Sequence, residues 1–299
     1  MANEDRGRLL DPVFISKLAR LDLRARLVVE GFLTGLHRSP YHGFSVEFAE
    51  HRQYMPGDPL RHLDWKVLAK SDRKYLKQYQ EETNLRAHLL VDTSASMGYG
   101  SRGITKLDYA RQLAASLAYL MLGQHDAVGL FAFAQGRGEQ IPARSTLGHM
   151  RPLLLLLERL AAAGGTDFTA SLHSLAERIT RRGLVVILSD LLDEPEKIEQ
   201  AIHHFRHRRH EVLVFHILDP QEVEFDFERE AVYVDVEGGA RVTTRPRELR
   251  EDYRGRVREW RERLRSICIE KRADYVALTT DVPYDRALLE YLGKRSRLL

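Results

Sequence analysis

Asp92-Thr93-Ser94-Ala95-Ser96 follows the apolar run Ala87-His88-Leu89-Leu90-Val91, so a carboxylate and two hydroxyls are presented where a buried strand ends. Oxygen donors aimed at one point suit a hard cation such as Mg²⁺, which takes oxygen ligands in octahedral geometry and keeps several waters. Two further segments supply oxygens. In Gly164-Gly165-Thr166-Asp167 the glycines permit a sharp loop and set the Thr166 hydroxyl just before a helix. Leu184-Val185-Val186-Ile187-Leu188-Ser189-Asp190 is another apolar strand that ends in a carboxylate. Loops at the carboxyl ends of strands in an open α/β sheet converge on one crevice, which gathers Asp92, Ser94, Ser96, Thr166 and Asp190 into one polar cluster. The competing reading is a hydrogen-bonded cap cluster, since Asp, Ser and Thr also favour helix starts.

The elements that must position these residues follow from periodicity. Thr105 to Leu122 is helical, with Leu107, Ala110, Leu113, Ala114, Leu117 and Leu120 on one side and Thr105 with Asp108 as a cap pair. Strands are expected at 127–134, 184–188, 212–218 and 275–279, and helices at 147–162, 168–181, 195–206 and 284–293. This alternation implies an α/β fold with a doubly wound, mostly parallel sheet and right-handed crossovers. A hairpin is expected at 231–236 and 241–244 around Glu237-Gly238-Gly239-Ala240. A long amphipathic helix follows, marked by Leu249, Tyr253, Val257, Trp260, Leu264 and Ile267. Residues 11–36 read as a helix capped by Asp11 with Pro12 at its first position. The chain therefore divides into a helical and small β-containing region at 1–84, an α/β core at 85–220, and a segment at 221–299 that completes the fold.

With these elements in place, the chain resembles the von Willebrand factor A domain family, whose metal-ion-dependent adhesion site reads Asp-x-Ser-x-Ser, then Thr, then Asp. The resemblance covers roughly residues 85 to 220. It implies that Ser94, Ser96 and Thr166 contact Mg²⁺, with Mn²⁺ or Ca²⁺ as alternatives, and that Asp92 and Asp190 often act through water. A partner's Asp or Glu would complete the shell, since a metal held mainly by neutral hydroxyls keeps much of its charge and attracts an external anion.

Upstream stands Arg52-Gln53-Tyr54-Met55-Pro56-Gly57-Asp58, followed by Arg61 and Asp64-Trp65. Pro56-Gly57 specifies a turn, and Asp58-Pro59 a cap and first residue of a short helix. This string resembles the signature of a bacterial family of unknown function, number fifty-eight, in which it precedes a von Willebrand A-like domain. That resemblance implies an adaptor or assembly factor working with a MoxR-type AAA+ ATPase on a target protein. Arg52, Arg61 and Trp65 would form a docking surface on one reading, since Arg and Trp are enriched at binding hot spots. On the favoured reading the arginines pair internally and Trp65 packs as core.

Other signals narrow the classes. Gly98-Tyr99-Gly100-Ser101-Arg102-Gly103 spells a dinucleotide fingerprint but starts past the strand end, and reads as a mobile loop beside the metal. No Gly-Lys-Ser/Thr phosphate loop is present, so ATP hydrolysis by this chain is not expected. A metal-dependent, phosphatase-like hydrolase is the alternative to a non-enzymatic role; it needs a base near the ion, for which Asp92 stands available, with Asp167 or Asp193 assisting. His203-His204-Phe205-Arg206-His207-Arg208-Arg209-His210 could bind metal or phosphate, and reads first as a solvated helix end where cations oppose the negative dipole. Residues 245–272 are arginine-dense, but Arg247 with Glu251, Arg258 with Glu262 and Glu259 with Arg263 are spaced for compensation along the helix. With a formal net charge of only +3, nucleic-acid binding is not expected. The longest apolar runs fall far short of the roughly 20 residues that span a bilayer, no secretory signal is read, and the single Cys268 lies between two isoleucines. A buried structural thiol and a cytoplasmic location are the expectations.

Overall fold

The computed structural model describes residues 51–53, 75–77, 85–134, 137–165, 168–227, 231–234 and 241–296. The expected helix at 11–36 and the string from Tyr54 through Trp65 lie outside them. The chain divides into two compact units, one of them Leu33–Asn84 and the other holding Leu85–Leu299. Within the smaller unit, β1 (His51–Gln53) pairs antiparallel with β2 (Tyr75–Lys77).

The larger unit opens with β3 (Arg86–Asp92), and a 3-10 turn at Ala95–Gly98 follows it. Next come α1 (Lys106–Gly123), β4 (Ala127–Ala134), β5 (Arg137–Arg144), α2 (Met150–Arg159) and α3 (Phe168–Arg178). Then follow β6 (Leu184–Ser189), α4 (Pro195–His207), β7 (Glu211–Leu218), α5 (Pro220–Glu224), β8 (Ala231–Val234) and β9 (Arg241–Thr244). The unit closes with α6 (Pro246–Glu270), β10 (Asp274–Thr279) and α7 (Asp285–Ser296). β8 and β9 form the expected antiparallel hairpin.

Six strands make one sheet in the order β10-β7-β6-β3-β4-β5, parallel throughout except for β5, which runs antiparallel to β4 at the edge. Every residue of β6 is buried and β7 is nearly so, as expected of strands covered on both faces by helices. β5 was not expected from the sequence: Arg-Gly-Glu-Gln-Ile-Pro-Ala-Arg has no apolar alternation, and Pro142 is tolerated because an edge strand need not donate on its outer side. The 147–162 helix is shorter than its apolar run, with a 3-10 turn at Leu147–His149 before α2.

The chain enters the sheet at β3, builds β4 and β5 on one side, and then crosses to build β6, β7 and β10 on the other. The connections therefore diverge between β3 and β6, and in open α/β sheets the crevice beyond the carboxyl ends at such a switch point is where ligands bind. Asp92 is the last residue of β3 and Asp190 directly follows β6.

α6 packs on the core through Leu264, Ile267 and Cys268, with Trp260 against the same cluster. Cys268 is free and fully buried, and burial pushes its thiol up to about 12, which makes it an unreactive structural residue. Leu249 is exposed although its spacing matches the apolar stripe; the start of α6 docks instead through Tyr253, stacked on Phe225 at 4.1 Å. The arginines of α6 do not take the expected partners: Arg250 pairs with Asp226, Arg254 with Glu224 and with Glu251 one turn away on its own helix, and Arg263 with Glu196 of α4.

Candidate functional site

Parallel pairing of β3 with β6 sets Val91 opposite Leu188, so the next residues, Asp92 and Ser189, emerge side by side. The Ser189 hydroxyl donates to Asp92 Oδ2 at 2.6 Å and accepts from Leu191 N at 2.9 Å. The other Asp92 oxygen accepts from Ser94 N at 2.9 Å, which turns the chain so that the Ser94 and Ser96 hydroxyls meet at 3.0 Å. Asp92, Ser94, Ser96, Ser189 and Asp190 are all buried.

The third loop reaches the same place. Ala95 N donates to Gly164 O at 2.8 Å, and Ala163 N to Thr93 O at 3.0 Å. Gly164 has φ of +75°, a left-handed conformation that glycine adopts without strain, so the paired glycines serve the turn assigned to them. Thr166 itself lies outside the described residues, as do Arg61 and Trp65; Arg52 lies in β1. Of the five predicted site residues, the structure brings together Asp92, Ser94, Ser96 and Asp190.

Three participants were not singled out by the sequence. Ser189 is one. The others are Lys106 and Glu222: the fully buried Lys106 ammonium donates to Asp190 Oδ2 at 2.7 Å and to Glu222 Oε1 at 2.6 Å. Burial alone would lower the Lys106 pKa, and the charges of Asp190 and Glu222 more than offset it, so the ammonium is held above its ordinary value. Lys106 is the first residue of α1, where a cation opposes the helix dipole; that misfit was the available signal. Glu222 has a second task, since its other oxygen accepts from Asp219 N at 2.7 Å while Asp219 Oδ1 accepts from Gln221 N at 2.8 Å, a capping box that starts α5. Burial raises the Glu222 carboxyl despite Lys106.

The loop at 98–103, read as mobile, is instead pinned. Asp219 Oδ2 and Oδ1 accept from Ser101 N at 2.8 Å and Ser101 Oγ at 2.5 Å, Tyr99 OH donates to Gln221 at 3.1 Å, and Lys106 N closes the loop on Tyr99 O at 2.9 Å. A Cβ on Gly100 would stand 2.2 Å from the Ile104 carbonyl oxygen. Gly100→Ala should therefore displace this loop and lower stability by about 1–3 kcal/mol, read as a loss of melting temperature. Gly148→Ala, where a Cβ meets nothing within 4 Å, is the control.

Among the described residues no Lys, Arg or His forms an ion pair with Asp92. Burial, then the adjacent Asp190 charge, push its carboxyl up to about 7, against hydrogen bonds from Ser189 and Ser94 that lower it. The cluster thus offers a buried carboxylate short of positive charge beside two facing hydroxyls. An all-oxygen donor set of this kind fits a hard divalent cation.

A doubly wound, mostly parallel sheet flanked by helices is a von Willebrand A-like fold, and the oxygen cluster lies at its switch point. Residues 50–263 match the family described as "Protein of unknown function DUF58", and the chain belongs to it. An uncharacterized protein of Mycobacterium tuberculosis is 29% identical over 98% of this chain and 93% of its own length. Among solved structures, the conserved hypothetical protein BatB from Bacteroides thetaiotaomicron is similar in fold, with a TM-score of 0.50 and 16% identity over 71% of this chain and 99% of BatB. The VWA domain of SpRpn10 aligns over 69% of this chain and 94% of its own, at a TM-score of 0.40 and 10% identity. Among the described residues no helix is long and apolar enough to cross a membrane.

Proposed function

We propose that this protein is a non-enzymatic, Mg²⁺-dependent interaction module of the cytoplasm. Asp92, Ser94, Ser96, Thr166 and Asp190 would hold the ion, and a partner's Asp or Glu would fill an open position on it. The observation that carries this reading is the meeting of the Ser94 and Ser96 hydroxyls beside a buried Asp92 that no basic side chain neutralises among the described residues. Neutral hydroxyls leave a bound cation with charge to spend on an external carboxylate. The neighbouring ammonium of Lys106 is already engaged by Asp190 and Glu222.

The family signature extends the reading to an adaptor that works with a MoxR-type AAA+ ATPase in the assembly, maturation or regulation of a target protein. Co-purification of the full chain with such an ATPase should be strong in Mg²⁺, weak in EDTA, and lost in Asp92→Ala. Binding that is unchanged by EDTA and by the substitution removes the metal from the mechanism.

A phosphatase-like hydrolase is the second reading, favoured by one observation: a carboxyl raised to about 7 is suited to act as a general base near neutral pH. Mg²⁺-dependent turnover of a phosphate ester that vanishes in Asp92→Asn would reverse the order of the two.

A further inference from the structure

α6 carries three stripes where an ordinary amphipathic helix has two. At about 100° per residue, Tyr253, Trp260, Leu264 and Ile267 share the inward face. Beside it, Arg247, Arg250, Arg254, Arg258, Arg261 and Arg265 fall within an arc of about 80°, and Glu248, Glu251, Glu259 and Glu262 lie beyond them. Three of these arginines are engaged: Arg250 by Asp226, Arg254 by Glu224 and Glu251, and Arg261 by the Tyr275 hydroxyl. Arg247, Arg258 and Arg265 are exposed and form no ion pair among the described residues. They stand eleven and seven residues apart on one ridge, about 16.5 and 10.5 Å along the helix axis. At Arg258 a cleft of about 300 Å³ opens between α5 and α6, lined by Val223 and Glu224 of α5 and by Glu251, Arg254, Val257, Arg258 and Arg261 of α6.

We infer that this ridge is a docking surface for an acidic α-helix of a partner protein, whose carboxylates meet Arg258 and Arg265 and whose apolar side chain enters the cleft against Val223 and Val257. A helix laid along α6 presents carboxylates seven residues apart at the same interval of about 10.5 Å. A guanidinium fork takes a carboxylate through two parallel hydrogen bonds. Glu224 and Glu251 already neutralise Arg254, so the positive charge left open in the cleft is that of Arg258 and Arg261. A nucleic acid fits this surface less well. Its phosphates would run beside the acidic stripe, and Tyr253 and Trp260 face inward instead of offering rings on which bases stack. The ridge needs no metal, so it stands apart from the function proposed for Asp92 and its neighbours.

The probe is a fluorescent synthetic helix with Glu at seven-residue intervals and Leu between them, its anisotropy followed as the full chain is added in EDTA. It should bind, and binding should weaken as salt screens the exposed contacts. The same helix with Gln in place of Glu should bind about tenfold more weakly or worse, and so should the Glu helix to Arg258→Glu/Arg265→Glu. Arg256→Glu, equally exposed but on the opposite side of the helix from the ridge, should leave binding unchanged. Failure of the Glu helix to bind, equal binding of the Glu and Gln helices, or equal losses in Arg256→Glu and the double variant overturns the inference. Tighter capture of duplex DNA or of phosphatidylserine vesicles through the same two arginines overturns it as well.

Discussion

Lys106→Met should lower the unfolding free energy by about 3–5 kcal/mol, the usual cost of removing one partner from a buried ion pair. Methionine approximates the lysine stem in volume, so little of this loss arises from packing. It arises because Asp190, 1% exposed, and the partly buried Glu222 lose the ammonium that both contact within 2.7 Å. The consequence extends beyond stability, since Lys106 joins the loop after β6 to the capping box of α5 and closes the 98–103 loop through its backbone. Chemical denaturation of wild type and variant measures the effect. A Lys106→Met/Asp190→Asn double variant should recover part of the loss, because neutralising the orphaned carboxylate removes its desolvation penalty. Equal stability of wild type and Lys106→Met would mean that the triad is exposed in solution.

The second large effect belongs to Asp92→Asn and has two parts with opposite signs. In metal-free protein the variant should be the more stable above neutral pH. Asp92 has a folded pKa of about 7 against an ordinary 3.8, so the folded state holds a proton that the unfolded state has released. Its contribution to stability is complete below about pH 4 and is lost as pH rises through 7. Asparagine carries no such charge, and its advantage should grow from about pH 4 and level off above 7. With Mg²⁺ present the order reverses. Wild type should gain melting temperature on adding Mg²⁺, increasingly from pH 5 to pH 8 as the proton is displaced, while the variant should gain little. Thermal melts at several pH values with Mg²⁺ or EDTA separate the two parts. A Mg²⁺ shift that is identical in both proteins would falsify the assignment of Asp92 to the metal.

His216 titrates with the other sign and defines the acid limit. Burial holds its imidazole down to about 3, so its stabilising contribution is present above about pH 6.5 and declines as pH falls toward 3. The metal-dependent shift is therefore read as the difference between Mg²⁺ and EDTA at each pH, in which the His216 contribution cancels.

The sheet was readable because its evidence is local. Leu184 to Leu188 is a short run rich in β-branched residues and reads as a strand buried on both faces, and Thr105 with Asp108 caps α1 where the spacing requires, with the Thr105 side chain accepting from Asp108 N. β5 escaped because an edge strand needs no apolar alternation, and α5 because five residues carry too little periodicity to detect. Lys106 escaped for a different reason: a lysine at the start of an amphipathic helix is ordinarily solvated, and its burial depends on Asp190 and Glu222, which are 84 and 116 residues away.

By itself, then, the sequence determined the order of strands and helices apart from β5 and α5, the placing of Asp92 and Asp190 at strand ends, and the turn at the paired glycines. Each depends on side-chain periodicity or backbone freedom within a few residues. The tertiary structure decided which strands lie side by side, that Ser189 holds Asp92, that the resident cation Lys106 serves Asp190 and Glu222, and that Arg263 reaches Glu196 of α4. Those relations are set by strand register and helix packing between distant segments, and burial then makes the charges among them matter.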